Sequence, residues 1–235
     1  MIMKVTMDSL LAGARRASGT AVVVDVFRAF TCAPFMFSLG LERAILVSTP
    51  EEAFALKERD PDLLLVGEVG GIPIQGFDLG NSPSEILKLG KSYFHGRTAV
   101  HRTSAGVQGV LAAIETADEV LPASFCTAAA TAKYILSKGP ERVSIAAMGI
   151  ELKEKAPEDE WCARYIAELL GAGDYDHVKA LCEILAHDTT RKFHDAEQPL
   201  FPAEDPVFCL QRDIFDFALQ AYRADGMVNV RRLGV

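Results

Sequence analysis

From residue 21 to residue 147 the chain alternates short apolar runs with segments that open on helix-start signals, and this alternation constrains the fold more than any other feature. Residues 21–24, 44–47, 63–66, 98–100, 119–121 and 142–147 are short, apolar and mostly rich in β-branched residues, so they read as strands. Helices are expected over residues 25–38, 51–59, 83–89, 107–116 and 127–137. Thr49-Pro50-Glu51-Glu52 and Ser82-Pro83-Ser84-Glu85 each combine a hydroxyl cap, a proline at the first helical position and a glutamate that can close a capping box. Pro34 is tolerable if it falls in the first turn of its helix. Strand–helix alternation of this kind implies parallel βαβ units with right-handed crossovers. The expected fold is therefore α/β, a layered α/β/α arrangement with a mostly parallel sheet, formed by one domain over residues 1–235. A short strand (3–6) and helix (10–16) precede the alternation. The C-terminal third is expected to be largely helical, with helices over 158–170, 176–187 and 205–222. An irregular polar crossing over 188–202 and a terminal strand over 227–233 complete it.

The bulk properties exclude several function classes. A net charge of −8 and a pI of about 5.2 argue against nucleic acid or an anionic membrane as partner, since either favours a basic face. A small anionic substrate in a local pocket stays compatible with that charge. The five cysteines are scattered and odd in number, which suits reduced thiols and a cytoplasmic location. No apolar run approaches the roughly 18 residues of a membrane span. A homodimer is the working expectation, although no sequence feature marks an interface.

The densest chemistry lies between Gly67 and Pro83, a glycine-rich loop that leaves a strand and ends at the capped start of a helix. Glycines let backbone approach a ligand, and a helix N-terminus offers unpaired N–H groups to an anion. Glu68 and Asp78 are candidates to hold a hard cation such as Mg²⁺, or to pin the loop through backbone amides. Asp25 and Arg28 follow one strand end, Arg102, Thr103 and Ser104 another, Ser124 a third, and Gly149 with Glu151 a fourth. In one open parallel sheet all these loops emerge at the carboxyl edge, where such folds bind ligands. The residue types suit phosphate. Arg28 and Arg102 offer bidentate donors, Thr31, Ser82, Thr103 and Ser104 add hydroxyls, and Asp25, Glu68 and Asp78 can carry Mg²⁺. Asp25 has a helix cap as its secondary reading, and Arg28 reads equally as a surface ion-pair partner. Gly90-Lys91-Ser92 lacks the first glycine of a P-loop, and neither a dinucleotide fingerprint nor a G-x-S-x-G elbow is present. His187 and His194 lack zinc-like spacing.

Asp25-Val26-Phe27-Arg28-Ala29-Phe30-Thr31 resembles the D-V-x-R-A-x-T signature of the 2-phosphosulfolactate phosphatase family, known from coenzyme M biosynthesis. Gly67-Glu68-x-x-Gly71 and Gly76-Phe77-Asp78-Leu79-Gly80-Asn81-Ser82-Pro83 resemble its next two motifs, the second almost letter for letter. Thr103-Ser104-x-Gly106, Glu158-Asp159-x-x-Cys162-Ala163 and Glu204-Asp205-x-x-x-Cys209 resemble later segments, in the family's order. The resemblance implies a Mg²⁺-dependent phosphatase with a layered α/β fold that converts 2-phospho-3-sulfolactate to 3-sulfolactate and phosphate. It marks Asp25, Arg28, Glu68, Asp78, Asn81, Thr103 and Ser104 as active-site candidates, with Thr31, Gly71, Ser82, Arg102 and Gly106 as further substrate contacts. Asp25, Glu68 and Asp78 are the expected metal ligands. The chain departs from the family where Val69 replaces a common arginine and where Ala105 and Val107 replace an amide and a hydroxyl. Two other readings remain: a phosphatase of another small phosphorylated hydroxy acid, and a non-catalytic module that holds a phosphorylated metabolite.

Overall fold

Apolar runs buried on both faces become the central strands, and one apolar helix fills the space they enclose. The structure, a computed structural model, describes residues 3–235. Its strands are β1 (Lys4–Ser9), β2 (Thr20–Val24), β3 (Arg43–Leu46), β4 (Leu64–Val69), β5 (Ile72–Pro73), β6 (Thr98–Arg102), β7 (Glu119–Ala123), β8 (Arg142–Ala147), β9 (Phe217–Ala224) and β10 (Met227–Gly234). Its helices are α1 (Leu10–Arg15), α2 (Ala29–Ser38), α3 (Pro50–Arg59), α4 (Pro83–Leu89), α5 (Lys91–Phe94), α6 (Gly106–Ala113), α7 (Ala128–Lys138), α8 (Pro157–Leu169), α9 (His177–Ala186), α10 (Asp188–Arg191) and α11 (Asp205–Cys209). The α/β fold with a mostly parallel sheet is as expected. The caps are as well: Thr49 Oγ1 accepts from Glu52 N–H at 3.3 Å and Ser82 Oγ from Glu85 N–H at 3.4 Å. Pro34 falls in the second turn of α2, not the first, on a helix buried from Ala29 to Phe37.

The sheet is not one continuous parallel array. Its order is β1-β8-β2-β7-β9-β10-β3-β6-β4-β5. Two parallel blocks, β1-β8-β2-β7 and β3-β6-β4, are joined through the antiparallel pair β9–β10. The pairings β7–β9, β9–β10 and β10–β3 are all antiparallel, so the blocks run in opposite senses along the ladder. This corrects the expectation of a single carboxyl edge. The strand ends still converge, because the sheet twists by about 20–25° per step. Over the six steps from β2 to β4 that amounts to a rotation on the order of 120–150°. Packing reports the same curl. Ala21 and Val23 of β2, Ala44 and Leu46 of β3, and Leu64 and Val66 of β4 share one core with α2 and α6. The outer face of the first block packs on α7, α8 and α9, and the outer face of the second on α3.

The expected helix over 205–222 is the clearest correction. Only Asp205–Cys209 is helical, and residues 217–224 form β9. Asp213 takes φ 56° and fixes the bend: its Oδ1 accepts from Ala129 N–H at 2.8 Å and its Oδ2 from Tyr165 O–H at 2.5 Å. Asp225-Gly226, both with positive φ, then closes the β9–β10 hairpin, a dipeptide whose geometry matches the strand twist. The C-terminal third is thus helical through α11 and then contributes two strands to the middle of the sheet.

Gly67 sits in β4 with φ 153°, and a Cβ there would lie 2.0 Å from the Arg102 carbonyl oxygen of β6. Gly67→Ala is therefore expected to force the two strands apart and to cost about 2 kcal/mol or more. The midpoint of urea unfolding measures this, and an unchanged midpoint would contradict the close approach.

Candidate active site

The exits of β2, β4, β6 and β8 meet over a small polar cavity of about 90 Å³. Asp25, Phe27 and Arg28 come from the β2 exit, Glu68, Gly70, Gly71 and Asn81 from β4 and the glycine-rich loop, and Ser104 and Ala105 from the β6 exit. Gly149 to Glu151 follow β8, while Glu158 and Asp159 open α8. Thr189, Lys192 and Phe201, from the crossing after α9, complete the lining. Such a cavity is well below the roughly 300–1,000 Å³ of drug-sized pockets, and it suits a compact polar molecule.

Backbone amides hold the two carboxylates at the strand ends. Asp25 Oδ1 accepts from Ala29 N–H at 3.2 Å and Oδ2 from Gly106 N–H at 2.7 Å. Gly106 is needed for that approach, since a Cβ there would lie 2.7 Å from Asp25 Oδ2. Glu68 Oε1 accepts from Ser104 N–H at 2.6 Å, and Oε2 accepts from Gly71 N–H at 2.5 Å and Ser104 O–H at 3.1 Å. Burial raises the Asp25 carboxyl to about 6, the Ala29 and Gly106 amides opposing it and Glu68 adding to it.

Two acids outside the sequence candidates join them. Glu158 and Asp159 occupy the first turn of α8, where the helix dipole favours negative charge. Asp159 Oδ1 accepts from Val26 N–H at 2.7 Å and Oδ2 from Gly149 N–H at 2.8 Å, which clamps the β2 and β8 exits together. Glu158 Oε2 accepts from Thr189 O–H at 3.0 Å. Burial raises Glu158 to about 7 and Asp159 well above the usual carboxylate range, Asp25 adding to both. Their local signal was the Glu-Asp pair at a helix start after a proline, which is indistinguishable from an ordinary cap.

The other candidates divide between the cavity and its supports. Asn81 lines the cavity, its Oδ1 3.3 Å from His101 Nε2. His101 is fully buried, burial lowers it to about 4, and its Nδ1 has no partner. The neutral ring with its proton on Nε2 satisfies this arrangement, so the Asn81 amide nitrogen is left for the cavity. Arg28 is buried, and its guanidinium is committed to Asp205 Oδ2 at 2.8 Å, Gly71 O at 3.2 Å and Leu200 O at 3.5 Å. Asp205 in turn accepts from Ser82 O–H at 2.9 Å and Ser84 N–H at 3.1 Å. Ser82 therefore supports Asp205 and caps α4. Thr31 is buried and donates to Val26 O at 2.9 Å, and Thr103 Oγ1 accepts from Val107 N–H at 3.0 Å. Ser124 lies beneath, donating to Phe30 O at 2.8 Å. Arg102 is not on the cavity wall, and its guanidinium donates to Ser48 O at 3.3 Å, Glu68 O at 2.6 Å and Ser104 Oγ at 3.4 Å. Asp78 is not at the cavity. Its Oδ2 accepts from Leu65 N–H at 2.8 Å and pairs with Lys57 at 3.2 Å, so it pins the glycine-rich loop along β4.

The strand ends of a curled α/β sheet thus deliver carboxylates and backbone amides into one small polar cavity, the arrangement of an α/β protein with a ligand site. The chain belongs to the 2-phosphosulpholactate phosphatase family, whose model matches residues 7–221. It is 33% identical over 210 residues to a probable 2-phosphosulfolactate phosphatase of Bacillus subtilis, covering 88% of each chain. Proteins of the same name from Deinococcus radiodurans and Thermus thermophilus are 38% and 39% identical, over 66% and 64% of this chain and 63% and 61% of theirs. No helix among the described residues is long and apolar enough to cross a membrane.

Two outcomes are expected. Glu158 is raised from 4.5 to about 7 in the fold, so the folded state holds its proton longer than the unfolded chain. Its stabilising contribution is present at acid pH and is lost as pH rises through about 7. Glu158→Gln should therefore shrink the fall in stability between pH 5 and pH 8 by on the order of 3 kcal/mol. Urea unfolding at both pH values reads this, and an identical fall in both proteins would refute the raised carboxyl. Asp205→Ala leaves Arg28 buried without its partner and should cost about 3–5 kcal/mol. A melting temperature unchanged in that variant would count against the pair as described.

Proposed function

We propose that the protein hydrolyses 2-phospho-3-sulfolactate to 3-sulfolactate and phosphate, with Mg²⁺ as cofactor. Family membership supports the reaction class. The observation that carries the reading to named residues is the convergence of Asp25, Glu68 and the Ser104–Gly106 turn on one cavity. On this reading the protein works in the cytoplasm, on the route to coenzyme M from which the family is known.

The donor set fits Mg²⁺ in a restricted way. Among the described residues no three His, Cys, Asp or Glu side chains are grouped to hold a metal by themselves. Mg²⁺ needs only one or two carboxylates, because water and substrate phosphate fill its other positions. Asp25 and Glu68 would hold it, since their oxygens keep lone pairs beyond the amide bonds they accept. Asp78 leaves the ligand set, being tied to Leu65 and Lys57. When bound, Mg²⁺ would offset phosphate charge and lower the pKa of a neighbouring water.

The chain's own groups move the protons. Asp25, on the cavity wall, takes a proton from the attacking water through an oxygen left free of the cation. Glu158, raised to about 7, remains partly protonated near neutral pH and gives its proton to the leaving alkoxide oxygen. The Asn81 amide nitrogen and the amides of the glycine-rich loop orient the phosphoryl oxygens.

Phosphate release from 2-phosphosulfolactate is the test, with Mg²⁺ and then with excess EDTA. Rapid release that EDTA removes is the expected result. Asp25→Asn should abolish turnover in a folded protein. Tight binding of phosphorylated acids without release, in Mg²⁺ and by folded protein, would sink the catalytic reading in favour of a binding module.

A further inference from the structure

The cavity poses an electrostatic problem. Five acidic residues line it, Asp25, Glu68, Glu151, Glu158 and Asp159, yet the molecule it is read to accept is itself an anion. The two arginines that the sequence offers as anion grips do not solve it. Arg28 is committed to Asp205 and two backbone carbonyls, and Arg102, committed to Ser48 O, Glu68 O and Ser104 Oγ, is not on the cavity wall. Lys192, which lies in a 3-10 turn after α10, is the remaining cation on the cavity wall.

Lys192 is held in an unusual way. Its Nζ lies 4.7 Å from the centroid of the Phe201 ring and 5.5 Å from that of Phe193. Arg28 touches the same two rings from 5.0 and 5.5 Å. Among the described residues the ammonium makes no hydrogen bond, and no carboxylate lies within ion-pair distance of it. A flexible four-carbon stem would let lysine reach a neighbouring acid. Here the aromatic faces hold the charge instead, and its three donors stay open. Burial and Arg28 lower its pKa, while Glu158, Glu68 and Asp25 favour the charged form. A half-buried ammonium with open donors in a ligand cavity is a receptor for an oxyanion.

We propose that Lys192 is a substrate-binding residue, its ammonium taking a tetrahedral oxyanion group of the phosphorylated acid and so letting an acidic cavity admit an anion. The assignment rests on the phosphatase reading for its substrate and on the cavity geometry for its chemistry. Phosphate and sulfonate share that chemistry, so the test carries both.

Lys192→Met is the informative variant, because it keeps an apolar stem against Phe193 and Phe201 and removes only the charge. Binding of inorganic phosphate and of methanesulfonate to the full chain in Mg²⁺ is measured by calorimetry, beside KM and kcat for 2-phosphosulfolactate. The expected result is at least tenfold weaker binding of one anion or both, the scale of a lost charge-assisted hydrogen bond. KM should rise by a similar factor with an unchanged melting temperature, and Lys192→Arg should restore part of the affinity. Loss confined to phosphate assigns the phosphoryl end of the substrate, and loss confined to methanesulfonate assigns the sulfonate end. Anion affinities unchanged in Lys192→Met would overturn the assignment, as would a wild-type protein that binds neither anion. Anion binding that depends on Lys192 in a protein that hydrolyses no 2-phosphosulfolactate would keep the assignment and reject the proposed substrate.

Discussion

The buried pair of Arg28 and Asp205 organises the molecule around the cavity. Both side chains are almost wholly buried, so the pair depends on the hydrogen bonds that surround it. Through Arg28 it reaches the glycine-rich loop at Gly71 and the crossing at Leu200, and through Asp205 it reaches the α4 start at Ser82 and Ser84. Segments far apart in sequence, from the β2 exit to α11, are thereby fixed relative to one another. The cost of isolating either charge makes this geometry hard to relax, which suits a site that must hold carboxylates a few ångströms apart.

Those carboxylates are held against their own preference. Burial raises the pKa of Asp25, Glu158 and Asp159, with Asp25 adding to the other two and Glu158 adding to Asp159. Amides from Ala29, Gly106, Val26 and Gly149 compensate in part. The remaining imbalance keeps two acids titrating near neutrality, where proton transfer is most useful. The curl of the sheet makes this crowding possible, since strand exits from two opposed blocks end on one another.

Local chemistry made much of this legible in the sequence. Thr49 and Ser82 act as caps because a hydroxyl and a proline at those offsets leave the backbone little choice. Asp25, Glu68, Asn81 and Ser104 meet because each follows or ends a strand that its own composition specifies. What depended on distant partners was not legible. Arg28 read equally as a phosphate ligand and as an ion-pair partner, and the partner itself, Asp205, lies 177 residues away in sequence. Asp78 looked like a metal ligand, but the loop folds back so that it meets Leu65 and Lys57. Lys192 sits in a crossing with no periodicity, where nothing distinguishes one lysine from its neighbours. The Asp225-Gly226 turn was in plain view, yet the amphipathic look of residues 205–222 masked the strand that leads into it.

The β9–β10 hairpin carries a consequence for how the protein is made. It comes from the end of the chain and sits in the middle of the sheet, between β7 and β3. Until residues 217–234 have left the ribosome, no strand pairing joins the two parallel blocks, and β7 and β3 each present an open edge. The two halves of the cavity belong to different blocks, β2 and β8 in one and β4 and β6 in the other. The newborn chain therefore spends that interval as two sticky half-sheets, with bare edges of the kind that other chains pair with. Residues 217–234 act as the stitch that closes the sheet.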